Sequence, residues 1–299
     1  MSVIPESVGG ALPAAGGDWR VDLVESPLFP GAIAVSKGVV SLTLLSAALN
    51  PVLFAIGFLV AVTVYTHNRL TDLGEDAVNR PEQAAVAASR KRLLGGVAAG
   101  AYAVALGLAA LGGLVAVGVV VLPGVAGALY SESWLPVTEY DRLKEVPVLN
   151  TAVTAGAWAL PLAYLPVAFS GAAGGATAAL VAAFLFCRTA AASEVLNVRD
   201  VAGDRAAGVV TVPVAVGLRR TRHVLYGLDA ASVGVLAAGA GAGHLPLPVA
   251  AVLLPGFAYS LWLTRRVGTA DPDRLATAKD AEYVLLAALA LVGAGFVTI

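Results

Sequence analysis

Asn68, Asp72 and Asp76 recur every fourth residue in the segment Asn68-Arg69-Leu70-Thr71-Asp72-Leu73-Gly74-Glu75-Asp76. Asn197, Asp200 and Asp204 recur at intervals of three and four in Asn197-Val198-Arg199-Asp200-Val201-Ala202-Gly203-Asp204. On a helix, each set falls on one face. Carboxylates so spaced repel one another, and both sets sit at the ends of long apolar stretches. Two such faces call for positive charge between them, most simply Mg²⁺ carrying a phosphate group.

Other polar residues divide into candidates and bystanders. Arg80 follows Asp76 by four, and Pro81 stops a helix there. An Arg beside carboxylates holds them in place or binds a phosphate oxygen. Glu75 points to a different face, and His67 has no ligand-type neighbour and reads as a boundary residue. Glu194 and Arg199 flank the second set and read as a helix-end ion pair of little energetic weight. Tyr140 and Lys144 are also four apart and able to reach one anionic group. By spacing alone they read as an interfacial aromatic and a basic anchor. Lys37 lies within an apolar stretch; an intramembrane lysine is a functional candidate, or it snorkels to the surface. Asp229 shares that ambiguity and stays outside the expected site.

The elements that must position these residues are membrane helices. The chain has 299 residues, 58% hydrophobic and 13% charged, with a mean hydropathy of +0.82. Soluble domains are about half apolar and about a quarter charged. The fold class expected is therefore all-α, a polytopic membrane protein. A net charge of -1 gives no basis for nucleic-acid binding, and Cys187 as sole cysteine excludes an internal disulfide or a Cys-based metal site. Residues 1–28 are Gly/Pro-rich without a basic segment leading an apolar one, so a flexible cytoplasmic lead-in is expected rather than a signal peptide. Residues 29–299 form one transmembrane domain. Nine spans are expected: 29–48, 50–67, 93–111, 113–130, 147–166, 169–190, 222–241, 245–264 and 279–298. Asn50-Pro51 and Gly112-Gly113 divide the longer apolar blocks.

Charge supports that division. Arg69, Arg80, Arg90, Lys91 and Arg92 lie between spans two and three. Arg142 and Lys144 lie between four and five. Arg188, Arg199, Arg205, Arg219, Arg220 and Arg222 lie around the six–seven connection, and Arg265, Arg266, Arg274 and Lys279 around the eight–nine connection. The other connections hold no Lys or Arg. This alternation predicts a cytoplasmic amino terminus and both aspartate sets on the cytoplasmic side of the cell membrane.

Together these residues resemble the UbiA superfamily of intramembrane prenyltransferases, over nearly all of the chain after residue 29. The likeness rests on the two Asp-x-x-x-Asp motifs after spans two and six, on Asp76-Ala77-Val78-Asn79-Arg80-Pro81, and on Tyr140-x-x-x-Lys144 between them. The chain departs from that pattern at Arg69, at Glu82-Gln83 and at Asn197. The resemblance implies a central cavity open towards the cytoplasm and transfer of an isoprenyl group from a prenyl diphosphate to a lipophilic acceptor. Asp72, Asp76, Asp200 and Asp204 would be the catalytic Mg²⁺ ligands, with Asn68, Arg80, Tyr140, Lys144 and Asn197 at the diphosphate. The acceptor implied by the resemblance would be a quinone precursor or an isoprenoid or ether lipid. The expected partners are the donor, that acceptor and membrane lipid, with no obligate protein partner. A transporter or lipid-diphosphate-binding protein on the same fold is the alternative.

Overall fold

The computed structural model describes residues 26–131, 146, 148–171 and 174–296. Tyr140 and Lys144 lie outside the described residues, as does most of the expected 1–28 lead-in. Eleven α-helices occur among the described residues. They are α1 (Leu28–Leu44), α2 (Pro51–Thr71), α3 (Leu73–Asn79), α4 (Pro81–Ser89), α5 (Lys91–Ala109), α6 (Gly113–Ser131), α7 (Leu149–Ser170), α8 (Ala176–Ala207), α9 (Val212–Gly241), α10 (Leu247–Arg266) and α11 (Pro272–Gly295).

Local chemistry sets the boundaries. Asn50 caps α2 by accepting a hydrogen bond from the Val52 amide at 2.9 Å, with Pro51 in the first turn. Asp271 caps α11 in the same way through the Arg274 amide, with Pro272 following. A short 3₁₀ turn, Ala110–Gly112, separates α5 from α6. α8 ends where Gly208 adopts a left-handed conformation (φ 74°).

Nine of these helices have 17 or more residues and coincide broadly with the expected spans. By length and apolar composition, however, six stretches among the described residues qualify for crossing a membrane. The difference has three physical sources. α1 is short at 17 residues, Lys91–Tyr130 counts as one 40-residue stretch across the 3₁₀ turn, and the first three turns of α11 carry Asp273, Arg274, Lys279, Asp280 and Glu282.

α1 packs on α2, α2 on α5 and α6, and α6 on α7. The series continues through α8, α9, α10 and α11, and α11 packs back on α1. The helices thus close a ring. Small residues at the contacts, among them Ala159, Ala163, Ala178 and Ala182, let the helices approach closely. Large apolar side chains such as Leu111, Leu114, Val115, Val292 and Phe296 face outward, as expected of a surface in contact with lipid.

Two expectations need correcting. Arg188 and Lys279 are not basic anchors at a membrane surface. Both are about 2% exposed, inside the bundle. Nor does the second aspartate set lie on a connection after a span ending near residue 190. α8 runs unbroken to Ala207, so Asn197, Asp200 and Asp204 belong to its last turns.

Candidate functional site

A cavity of about 330 Å³ opens inside the ring, walled by parts of α1, α2, α3, α6, α7, α8 and α11. Asn68 sits in the last turn of α2, and Asp72 lies at the α2–α3 junction with non-helical angles (φ -98°, ψ 20°). The backbone still bonds at helical spacing across that junction. The amide of Asp72 donates to Asn68, that of Asp76 to Asp72 and that of Arg80 to Asp76, at 2.8, 2.8 and 2.6 Å. Asn68, Asp72 and Asp76 therefore keep the common face that their spacing implies, and all three line the cavity together with Arg80. From α8, Asn197 and Asp200 line the same cavity.

Asn79 and Gly203 hold the two acidic segments together. The Gly203 amide donates to Asn79 Oδ1 at 2.9 Å. A Cβ at residue 203 would overlap the Asn79 side chain, so only glycine permits this approach of α3 to α8. The Gly203 of the second motif and the Asn79 of the first thus have a direct structural use.

The carboxylates have different surroundings. Asp76 pairs with Arg80 at 2.7 Å. Asp200 takes two bonds from Arg199, Nε and Nη2, both at 2.9 Å. Asp72 Oδ1 accepts from Thr71 at 3.3 Å. Asp204 shares the helical spacing but does not line the cavity. It is buried, and its Oδ2 accepts from Thr211 at 3.0 Å because the turn at Gly208 brings the chain back over it. Asn197 donates from its amide nitrogen to Glu194 at 3.3 Å, and Glu194 is fixed in turn by Thr151 of α7 at 2.5 Å. That orientation leaves the Asn197 carbonyl oxygen as the end available to a ligand.

Sequence reasoning missed several wall residues. Arg69, Arg199 and Asp280 line the cavity, as does Lys37. With Arg80, Asp72, Asp76 and Asp200, the wall carries four basic and four acidic side chains. Arg199 had a signal in its adjacency to Asp200. Asp280 had none, because it sits in the charged opening of an apolar helix.

Among the described residues, no three His, Cys, Asp or Glu side chains gather to form a metal cage. Mg²⁺ does not require one, since it binds through one or two carboxylates and retains waters or phosphate oxygens. The oxygen donors present suit that mode. Asp72 and Asp200 face the cavity, and Asn68 Oδ1 is buried without a hydrogen-bond partner among the described residues. The walls beyond are apolar. A second, narrower slot is lined by Gly38, Phe54, Gly57, Leu162 and Leu165, and it shares Pro123 and Trp158 with the main cavity.

Several solved structures share this architecture. An apo UbiA homologue from Aeropyrum pernix K1 superposes with a TM-score of 0.69 at 17% identity, covering 89% of this chain and 98% of its own. A UbiA homologue from Archaeoglobus fulgidus bound to GPP and Mg²⁺ gives 0.64 at 18% identity, covering 91% and 99%. A digeranylgeranylglyceryl phosphate synthase gives 0.59 at 11% identity, covering 93% and 98%. At these identities the likeness shows the fold. No curated protein matches the sequence. The sequence profile of the UbiA prenyltransferase family matches residues 26–297, nearly all of the ring and both acidic segments, and the chain belongs to that family.

Proposed function

We propose that this protein is a Mg²⁺-dependent membrane prenyltransferase that moves an isoprenyl group from a prenyl diphosphate to a lipophilic acceptor and releases diphosphate. The observation that carries this reading is the convergence of Asp72 and Asp200, from separate helices, on one cavity. The A. fulgidus relative bound to GPP and Mg²⁺ supports the same assignment of donor and metal.

Asp72 with Asn68 would hold Mg²⁺ from one side, and Asp200 with Asn197 from the other. When bound, Mg²⁺ supplies countercharge that makes diphosphate a better leaving group. Arg80 and Arg199 each pair with a carboxylate before any ligand is present. An arriving diphosphate gives both guanidiniums a second anionic partner, so they orient the phosphate oxygens without leaving the wall. Asp76 holds Arg80 in place. Asp204 completes the second acidic set, and its Thr211 bond gives it a supporting position there. Tyr140 and Lys144, by the family motif, would bind the diphosphate as well. The allylic tail would enter the apolar slot behind Pro123 and Trp158, away from water. Nine spans with both acidic segments facing the cytoplasm complete the proposal. It rests on the alternation of basic connections, which persists when Arg188 and Lys279 are left out.

Incubating the protein in lipid nanodiscs with labelled geranylgeranyl diphosphate, Mg²⁺ and a lipid extract tests this function. Release of diphosphate together with a new prenylated lipid is expected. Stable donor with no prenylated product at any Mg²⁺ concentration would contradict it.

A further inference from the structure

Five arginines gather outside the cavity, where the start of α9 meets the end of α10. α9 departs from helical angles at Gly217 (φ 77°, ψ 162°), and Arg219, Arg220 and Arg222 follow in the next turn. α10 closes on Arg265 and Arg266. The two helix ends are in contact: a Cβ on Gly268, just beyond α10, would lie 3.2 Å from Leu218 Cδ1. Leu225 of α9 shares one apolar cluster with Leu263 and Val267. Arg219, Arg220, Arg265 and Arg266 are exposed and Arg222 is half-buried, and none of the five lines the cavity. Among the described residues, no guanidinium of the five has a hydrogen-bond or ion-pair partner, whereas Arg80, Arg188 and Arg199 all do. The nearest exposed acids along the chain are Asp271 and Asp273, and Asp271 Oδ1 is taken by the Arg274 amide.

Apolar side chains continue from these charges along both helices. One turn further into the span, Val224 follows the face of Arg220, Leu261 that of Arg265 and Trp262 that of Arg266, and all three are exposed. Arg266 stacks on the Trp262 ring, its Cζ 4.0 Å from the ring centre, and Trp262 stacks in turn on Tyr259 with centroids 5.7 Å apart. Such a column belongs at the depth of the lipid headgroups. The stacking holds one guanidinium in place with its N–H donors free. We propose that this groove binds one anionic phospholipid of the bilayer, its phosphate held by arginines of both helices and an acyl chain lying along Val224 and Leu261. A guanidinium presents a fork of N–H donors that fits two phosphate oxygens at once. A basic pocket between two membrane helices draws acidic headgroups from the adjoining leaflet. The exposed apolar tier favours a lipid over a free phosphate, because only the lipid brings acyl chains to cover it. Helix orientation alone asks for basic residues on this side of the membrane, but not for five to converge from two helices without an anionic partner. The site is independent of the prenyl-transfer reading.

Native mass spectrometry of the full chain in detergent, titrated with phosphatidylglycerol or phosphatidylcholine, tests the site. The first phosphatidylglycerol is expected to bind about tenfold or more tightly than phosphatidylcholine. Arg219→Gln and Arg265→Gln each weaken it about fivefold, and the two together about 25-fold, the attraction of one surface arginine per substitution. Arg265→Lys keeps the charge without the fork and loses about twofold. Trp262→Leu frees Arg266 and loses about two- to threefold. Arg90→Gln with Arg92→Gln removes two exposed cations at the start of α5, a helix that packs on α2 and α6, and leaves the affinity within about twofold. Phosphatidylglycerol also raises the thermal midpoint of the parent but not that of the Arg219→Gln/Arg265→Gln variant. Equal affinity for the two lipids would overturn the proposal. So would an equal loss in the Arg90→Gln/Arg92→Gln variant, which would reduce the preference to overall surface charge. Displacement of phosphatidylglycerol by a matching concentration of glycerol phosphate would reveal a soluble-anion site and overturn the lipid assignment. An Arg219→Gln/Arg265→Gln variant that keeps the parent's size-exclusion profile and its lipid preference would do the same.

Discussion

The cavity wall and the ion cluster beside it are built from the same residue types but use them in opposite ways. In the cluster, Arg188 of α8 bonds both Asp229 of α9 and Glu282 of α11. Lys279 bonds Glu282 at 2.8 Å and Ser260 at 2.6 Å, and Ser260 reaches Asp229 at 2.9 Å. Two cations and two anions close on one another, all of them buried. In the cavity, by contrast, Asp76 and Asp200 each have one arginine, Asn68 Oδ1 is unsatisfied, and Lys37 and Asp280 belong to the wall. The closed network ties four helices together. An open one retains bonding capacity for a ligand, and the unsatisfied groups show where that ligand goes. Thr189 links the two regions. It follows Arg188 in sequence, lines the cavity, and shares a 3.2 Å hydrogen bond with Tyr283.

Substitutions separate the two behaviours. The largest effect is expected for Asp72→Asn and Asp200→Asn. Each lowers prenyl transfer about 1,000-fold or more while the protein still inserts and elutes as a folded species, because countercharge to a leaving diphosphate is lost. Turnover and size-exclusion profiles of the two variants check this. Arg188→Met comes next and does the reverse. It leaves Asp229 and Glu282 without their shared cation and destabilises the fold by about 3–5 kcal/mol, seen as a lowered thermal midpoint in nanodiscs or detergent. Gly203→Ala should cost about tenfold in transfer, with a smaller stability change, by pushing α3 from α8; Mg²⁺ titration of activity would show the weakened site. Thr151→Val is the mildest. It removes the hydroxyl that fixes Glu194, costs about 1 kcal/mol of stability, and weakens donor binding only slightly through Asn197.

Helical periodicity made the first acidic set legible. Asn68, Asp72 and Asp76 share a face whether or not the helix breaks at Asp72, because the backbone bonds persist across the junction. At Asp204 spacing gives the face but not the surroundings. The left-handed turn at Gly208 returns Thr211 to that carboxylate, and no spacing rule encodes which groups a chain reversal will bring back. The ion cluster was invisible for a related reason. Arg188, Asp229, Glu282 and Lys279 come from three helices, and each alone resembles a charge at the margin of an apolar stretch. Only the packing of α8, α9, α10 and α11 reveals them as mutual partners. Asn79 and Gly203 were legible as motif letters, but their role as a joint between α3 and α8 required the fold.

The central claim is that two acidic segments, distant in sequence, grip one metal-bound diphosphate. A double-mutant cycle on Mg²⁺-dependent geranyl diphosphate binding, with Asp72→Asn, Asp200→Asn and the combined variant, tests it most directly. If both carboxylates act on one bound polyanion, each single variant weakens binding and the pair is non-additive, with a coupling of about 1 kcal/mol or more. Additive losses, or full Mg²⁺-dependent affinity in either single variant, would contradict a shared site.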